Sequence, residues 1–173
     1  MVPSESNPAN EYSDSDFVSN PFSSGGGGVR FENQVQASFL AMMLVGGSPP
    51  VLVGESIQKI KLQGRHAGFH TDDLIIFTGS TTAGSGSSRF LAQIKHKVSF
   101  TRSDTIFKQV IKSAWKDWGN PECFTREQDA FALITGPLSA TDISEVRVLL
   151  EWARHSESAS EFFSECRVGK LQQ

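Results

Sequence analysis

Cysteine is scarce in this chain, and long apolar runs are missing. Cys123 and Cys166 are the only two cysteines, and they lack the paired spacing of a zinc or redox motif, so we expect reduced thiols. No stretch of about 18 apolar residues occurs, which predicts that no helix spans a membrane. The N-terminus is acidic and polar and lacks the pattern of a secretory signal. The sequence therefore predicts a cytoplasmic protein without a membrane partner.

Residues 1–28 contain no lysine or arginine and have little apolar surface. They are rich in Ser, Asn, Pro and Gly and end in a run of glycines, which is typical of a disordered tail. Residues 29–173 are numerous enough to form one domain with a substantial core. We therefore expect a disordered tail over 1–28 and a folded domain over 29–173.

Basic residues are concentrated in the middle of the chain. The formal net charge is −3, yet residues 56–113 hold nine basic and three acidic residues, a net charge of +6. Residues 114–173 hold six basic and ten acidic residues. Such asymmetry favours a face that meets a polyanion, although a solvated charged surface fits the same charges.

Hydrophobic periodicity predicts an alternation of helices and strands. Helices are predicted over 29–45, 104–118 and 142–167, with a break near 155–158 that would divide the last one. Strands are predicted over 57–63, 74–77, 90–98 and 130–135, and the alternation slips once in the first. Three consecutive strands before a helix predict an α/β (α+β) domain with a mixed four-stranded sheet flanked by helices.

The residues with chemical potential lie at the ends of the second and third predicted strands. Asp72 and Asp73 precede one strand, and Gln93 and Lys95 share a face of the next because side chains alternate along a strand. A hairpin would bring these groups together. A hard cation such as Mg²⁺ takes oxygen ligands, and a lysine can offset the charge that develops at a phosphate. The pattern therefore predicts a metal-dependent phosphodiesterase site.

The same residues carry a resemblance to a known superfamily. The order Asp…Gln-x-Lys across a hairpin, after a helix that bears Glu32, resembles the PD-(D/E)xK restriction-endonuclease superfamily, in its Mrr-like branch with Gln at the usual acidic position. The segments Gly28-Val29-Arg30-Phe31-Glu32, Asp72-Asp73-Leu74, Gln93-Ile94-Lys95 and Ala114-Trp115 are also similar to N-terminal endonuclease effector domains of bacterial antiphage proteins, of the CBASS and STAND NTPase types. The resemblance covers about residues 28–170.

The resemblance implies a restriction-endonuclease-like core and a bacterial, cytoplasmic endonuclease for double-stranded DNA. No recognition helix or zinc finger is evident in the sequence, so we expect low sequence specificity. The resemblance implies Mg²⁺ as the cofactor, with Mn²⁺ as a substitute. Glu32 would complete the metal shell, Gln93 would be a ligand and Lys95 would be essential. Asp72 and Asp73 both stay candidates for the main ligand, and Asp73 is favoured because it directly precedes the strand. Since Gln93 is neutral, we expect weak metal binding before DNA arrives.

Effector domains of this kind also imply partners. The resemblance implies a homo-oligomer when activated and a sensor or NTPase module in the same or a partner chain. The sequence has no Gly-x-x-x-x-Gly-Lys-Ser/Thr loop of its own. We therefore expect the domain to be the N-terminal part of a larger protein.

Four basic residues follow the predicted site and are candidates for DNA contacts: Lys97, Arg102, Lys108 and Lys112. Contacts from such side chains to phosphates give salt-dependent affinity that is largely independent of sequence. The tryptophans at 115, 118 and 152 lie on predicted helical faces, and we expect them in the core.

Several alternatives remain open at this point. Asp72-Asp73 is also typical of a turn, and Glu32 could serve only as a favourable charge near a helix N-terminus. A non-catalytic binding or oligomerisation module could keep the nuclease fold. A zinc hydrolase using His66 and His70 is disfavoured because both lie in a glycine-flanked loop sequence.

Overall fold

The computed structural model describes residues 26–80 and 87–169. It contains four helices, α1 (Gly27–Leu44), α2 (Thr105–Trp118), α3 (Ala140–His155) and α4 (Ala159–Gly169). Its strands are β1 (Glu55–Leu62), β2 (Leu74–Ser80), β3 (Arg89–Lys95) and β4 (Ala130–Thr135), and one short 3-10 turn spans Gly64–Ala67. Most of the predicted tail lies outside the described residues, and α1 begins slightly before the predicted start.

The four strands form one mixed sheet in the order β1-β2-β3-β4. β1 pairs antiparallel with β2, β2 antiparallel with β3, and β3 parallel with β4. Parallel neighbours need a crossover connection, and α2 lies in the chain segment that joins β3 to β4. The α/β class and the mixed sheet flanked by helices are therefore confirmed.

Local sequence signals placed most elements closely. The register of β1 against β2 shifts between Ile57 and Lys59, where the predicted slip in alternation falls. Asp104 caps α2, since its side chain accepts a hydrogen bond from the backbone N–H of Phe107. The predicted last helix is divided at Ser156–Ser158 into α3 and α4.

The sheet carries a hydrophobic cluster on each face. On the face of α1, Phe39 packs with alternate residues of β2 and β3, including Leu74, Ala92 and Ile94. On the opposite face, Ile75 and Leu91 pack with side chains from the loops on that side, namely Phe69, Cys123 and Phe124. Since side chains alternate, Gln93 and Lys95 belong to the face of Leu91.

Helix α2 buries only a narrow stripe, which corrects the prediction for the tryptophans. Its buried positions are Val110 and Asp117. Trp115 is 73% exposed and Trp118 is 37% exposed, so the prediction that both lie in the core was wrong. The carboxylate of Asp117 accepts the backbone N–H groups of residues 70 and 71, and this anchor turns the tryptophans outward.

Within residues 26–80 and 87–169, no helix has the length and apolar character needed to cross a membrane.

Candidate active site

Asp73 and Lys95 form the central contact of the site. Nζ of Lys95 lies 2.8 Å from Oδ2 of Asp73, and the backbone N–H of Ile94 donates to the same oxygen at 2.7 Å. The side chain of Lys95 is 30% exposed and that of Asp73 is 14% exposed. The pair therefore lies at the surface end of the hairpin, where a substrate could reach the ammonium group.

Asp72 lies beside this pair and has two partners of its own. Nε2 of Gln93 donates to Oδ1 of Asp72 at 3.0 Å, and Nε of Arg65 lies 3.2 Å from Oδ2. Gln93 is buried, which fixes its amide between the sheet and the carboxylate. Among the described residues, neither Asp72 nor Asp73 accepts a local turn hydrogen bond through its side chain. A role as turn formers alone does not account for these contacts.

Helix α1 reaches the same place through Glu32 and Gln36. Nε2 of Gln36 donates to Oε1 of Glu32 at 2.9 Å and to the backbone carbonyl of Asp73 at 3.2 Å. These residues are four apart, so they share one side of the helix, next to Phe39 in the core. Gln36 thereby ties α1 to the start of β2.

The position of Glu32 within α1 decides whether this residue serves as a favourable charge near the helix N-terminus or belongs to the site at the hairpin. The helix begins at Gly27, and its first turn contains no acidic residue. The helix dipole acts mainly within the first turn, so Glu32 is not placed to use it. The Glu32 carboxylate instead interacts electrostatically with Asp73 and Lys95 of the hairpin.

Burial and the charges of the hairpin together set the pKa of Glu32. Partial burial raises the pKa of Glu32 above its usual value, and the charge of Asp73 raises it further, while Lys95 and the Gln36 hydrogen bond act in the opposite direction. Two cations face these carboxylates, Lys95 against Asp73 and Arg65 against Asp72. A bound cation would relieve the remaining repulsion.

The backbone around the site is held by pairing on both sides. The paired residues of β2 and β3 run from Phe77–Arg89 to Leu74–Ala92. Asp72 and Asp73 lie just beyond the Leu74–Ala92 pair, at the open end of the hairpin. On the other side, β3 pairs with β4 as far as Lys95 opposite Thr135. The lysine therefore stands on a strand that is paired along its whole length.

The donor set suits a hard cation in its chemistry but is not preassembled. Glu32, Asp73 and Gln93 supply carboxylate and amide oxygens, which Mg²⁺ prefers. Across the part of the chain that the structure describes, no group of three or more His, Cys, Asp or Glu side chains is poised to hold a metal. The Gln93 amide is engaged through Nε2, which donates to Asp72. Metal binding here would require modest side-chain rearrangement.

Three residues that contact or position the site were not predicted from the sequence: Arg65, Gln36 and Asp117. Gln36 had a signal, since it lies four residues after Glu32 beside the apolar stripe of α1. Arg65 and Asp117 had none, because each contact joins segments with no common local pattern. Asp117 holds the backbone just before Asp72 and so positions both carboxylates.

The predicted DNA-contacting residues are all exposed. Arg102, Lys108 and Lys112 line one shallow groove beside α2, and Lys97 lies outside its lining. His96 packs against Phe31 of α1, with ring centroids 5.3 Å apart, and so lies on the α1 side of the sheet. His66 and His70 belong to no metal-binding group among the described residues.

The chain was compared with protein-family models, with curated proteins and with solved structures, and none of the three comparisons gave a match. Function therefore has to be inferred from the chain's own residues and their geometry.

Proposed function

We propose that this protein is a metal-dependent endonuclease that hydrolyses phosphodiester bonds of double-stranded DNA with low sequence specificity. The observation that carries the proposal is the 2.8 Å contact between Lys95 and Asp73 at the end of the hairpin. Gln93 and Asp72 adjoin this contact, and Glu32 approaches from α1. Carboxylates, an amide and an ammonium around one point are the groups that phosphodiester hydrolysis needs.

The fold supports this proposal at a coarse level. A mixed four-stranded sheet flanked by helices is what a restriction-endonuclease-like core implies, and the resemblance of the motifs points to the Mrr-like, Gln-x-Lys branch. The β2–β3 hairpin at the centre of this sheet presents Asp73 and Lys95 side by side.

Asp73 is the better candidate for the main metal ligand. Both carboxylate oxygens of Asp72 already have partners, in Gln93 and Arg65. Oδ2 of Asp73 is also engaged, yet Oδ1 accepts no hydrogen bond from the described residues. Asp73, Glu32 and Gln93 would hold Mg²⁺ or Mn²⁺, with Asp72 beside them. When bound, the metal would polarise the phosphate and lower the pKa of a coordinated water.

Lys95 has capacity beyond its contact with Asp73. An ammonium group offers three donors, and one of them points at Oδ2 of Asp73. The other two are available to a phosphate oxygen or to the attacking water. Their positive charge would be most valuable as negative charge builds on the phosphate.

We further propose that the enzyme acts as an effector in bacterial antiviral defence, in the cytoplasm. This part rests on the motif resemblance. It includes assembly into a homo-oligomer on activation and control by a sensor or NTPase module in the same or a partner chain. A requirement for assembly would make cleavage depend steeply on protein concentration.

A plasmid assay tests the proposal. Supercoiled plasmid is incubated with rising protein concentrations in Mg²⁺, in Mn²⁺ and in EDTA, and nicked and linear products are measured. We expect cleavage with either metal and none in EDTA. Lys95→Ala should abolish cleavage, whereas Lys59→Ala should not, because Lys59 is an exposed lysine of the edge strand β1.

The alternative function predicts a different result in the same assay. A catalytically inactive nuclease-fold module would retard plasmid on a gel without cutting it in either metal at any concentration. That result, or full activity of Lys95→Ala, would remove the proposed mechanism.

A further inference from the structure

The groove beside α2 combines aromatic and basic side chains. Its volume is about 700 Å³, and the residues that line it include Phe100 and Arg102 from the β3–α2 connection and Phe107, Lys108, Lys112 and Trp115 from α2. None of these lining residues is acidic. The groove therefore has the charge to attract a polyanion and the apolar surface to contact something flat.

Trp115 is the most unusual member of this groove. Its side chain is 73% exposed, although indole is among the largest apolar side chains. It stands one helical turn beyond Ile111, which is 53% exposed. An exposed indole on a rigid helix provides a stacking surface for a nucleobase, since every base has a π face.

The floor of the groove is held in place by neighbouring residues. Phe100 and Phe107 meet edge to face, with ring centroids 5.2 Å apart. Asp104 accepts the backbone N–H of Phe107 at 2.8 Å and that of Ser99 at 2.9 Å, so it fastens the connecting loop to the start of α2. The groove is thus formed before any ligand arrives.

The basic residues are spaced for a nucleic-acid backbone. Lys108 and Lys112 are one helical turn apart, which puts their β-carbons about 6 Å from each other. That separation is comparable with the distance between successive phosphates of an extended strand. A protein partner fits less well, because the buried centre of a protein interface is depleted in lysine.

We propose that this groove binds unpaired nucleotides of DNA, with a base stacked on Trp115 and phosphates held by Lys108 and Lys112. The inference rests on the proposed nuclease function for its purpose, and it names the preferred substrate as duplex DNA with a single-stranded extension. Phe100 follows Lys95 by five residues, so their α-carbons are at most about 18 Å apart. The edge of the groove at Phe100 therefore lies within reach of a short DNA strand that contacts Lys95.

Binding is measured first, without any metal. Fluorescence anisotropy in EDTA compares a labelled oligothymidine of roughly 15 nucleotides with a blunt duplex of equal length. We expect Trp115→Ala to weaken oligothymidine binding by a factor of about 5 or more, since stacking of one base is worth a factor of roughly 5 to 150. Trp115→Phe should retain most of the affinity, and duplex binding should change less than about twofold.

Two further variants separate stacking from charge. Phe163→Ala removes another exposed aromatic, on α4, and should leave both affinities unchanged. The slope of log affinity against log salt is negative, and Lys112→Ala should reduce its magnitude for oligothymidine by about 0.7, the loss of one phosphate contact to a single strand. Trp115→Ala should keep the wild-type slope. Circular dichroism should show an unchanged fold, because Trp115 is exposed.

The outcomes distinguish this inference from the nuclease proposal. The loss of oligothymidine binding by Trp115→Ala is measured in EDTA and should appear whether or not the wild type cleaves DNA. In Mg²⁺, a duplex with a single-stranded extension should be cut faster than a blunt one, and Trp115→Ala should erase that preference. Wild-type affinity of Trp115→Ala for oligothymidine, or an equal loss for both DNAs, would overturn the groove as a single-strand site while leaving cleavage at the hairpin untouched.

Discussion

Asp73 holds Lys95 through a single oxygen, Oδ2, to which the Lys95 ammonium lies at 2.8 Å. The backbone N–H of Ile94 donates to the same oxygen, so one strand supplies both of its partners. Because the oxygen is fixed by the backbone, the lysine is also fixed in position. A group held in this way loses little freedom when a substrate binds.

Lys95→Ala should separate catalysis from stability. We expect cleavage to fall by at least about 100-fold, as is usual when a preorganised charge at a reacting centre is removed. The free energy of unfolding should fall by only about 1–2 kcal/mol, because Asp73 keeps its hydrogen bond from Ile94. Plasmid cleavage and urea denaturation measure the two effects. A variant that unfolds under assay conditions would contradict this expectation.

Asp117→Ala should be among the most destabilising substitutions in the domain. Asp117 is fully buried and accepts the backbone N–H groups of His70 and Thr71, which the variant would leave without partners. We expect the free energy of unfolding to fall by about 2–4 kcal/mol. Glu127→Ala is the matched control, since Glu127 is exposed on a nearby loop. Equal stability of the two variants would show that Asp117 does not anchor α2.

Gln93→Glu should trade stability for metal affinity. The Gln93 amide donates to Asp72 at 3.0 Å, and a glutamate there would place two negative charges together. We expect a lower melting temperature in EDTA and a larger rise on adding Mg²⁺ than in the wild type, because a ligand that binds only the folded state stabilises it. Thermal unfolding across a Mg²⁺ titration measures both shifts. An equal Mg²⁺ response in the two proteins would place the metal away from Gln93.

Arg65→Ala should strengthen metal binding at little cost in stability. The Arg65 side chain is 57% exposed, and exposed ion pairs contribute about 1 kcal/mol or less. Its removal takes one positive charge away from Asp72. We expect the Mg²⁺ concentration for half-maximal cleavage to fall, with Lys59→Ala unchanged as a control. A higher Mg²⁺ requirement would instead assign Arg65 to DNA.

Asp104 should make the start of α2 sensitive to acid. Hydrogen bonds from the backbone of Phe107 and then Ser99 lower the pKa of Asp104 below its ordinary value of 3.8. The stabilisation is therefore fully present above that ordinary value and is lost as the pH falls through the lower, folded pKa. Asp104→Asn keeps a capping oxygen but cannot titrate. Melting temperatures of the wild type and Asp104→Asn should converge as the pH falls below 3.8, and parallel curves would contradict this role.

The sequence determined the elements of this fold and the membership of the hairpin site. The period of the apolar residues placed the helices and strands of the described residues to within a few residues, and the side-chain alternation of β3 put Gln93 and Lys95 on one face. Both signals are local, because a helix or strand repeats within a few residues. The grouping of Asp73 with Lys95 followed as well, since an antiparallel hairpin leaves few ways to pair its strands.

Only the tertiary structure determined which side of α2 is buried and which residues contact Asp72. The apolar pattern of α2 predicted a buried Trp115, yet Asp117 accepts backbone N–H groups 46 and 47 residues away. Asp117 therefore shares the buried side of α2 with Val110, and Trp115 is left exposed. Arg65 reaches Asp72 in the same unforeseen manner. Neither contact follows from a periodic pattern, because each depends on where two separate segments meet in space. The groove beside Trp115 is exposed because the Asp117 contacts place Trp115 on the outer side of α2.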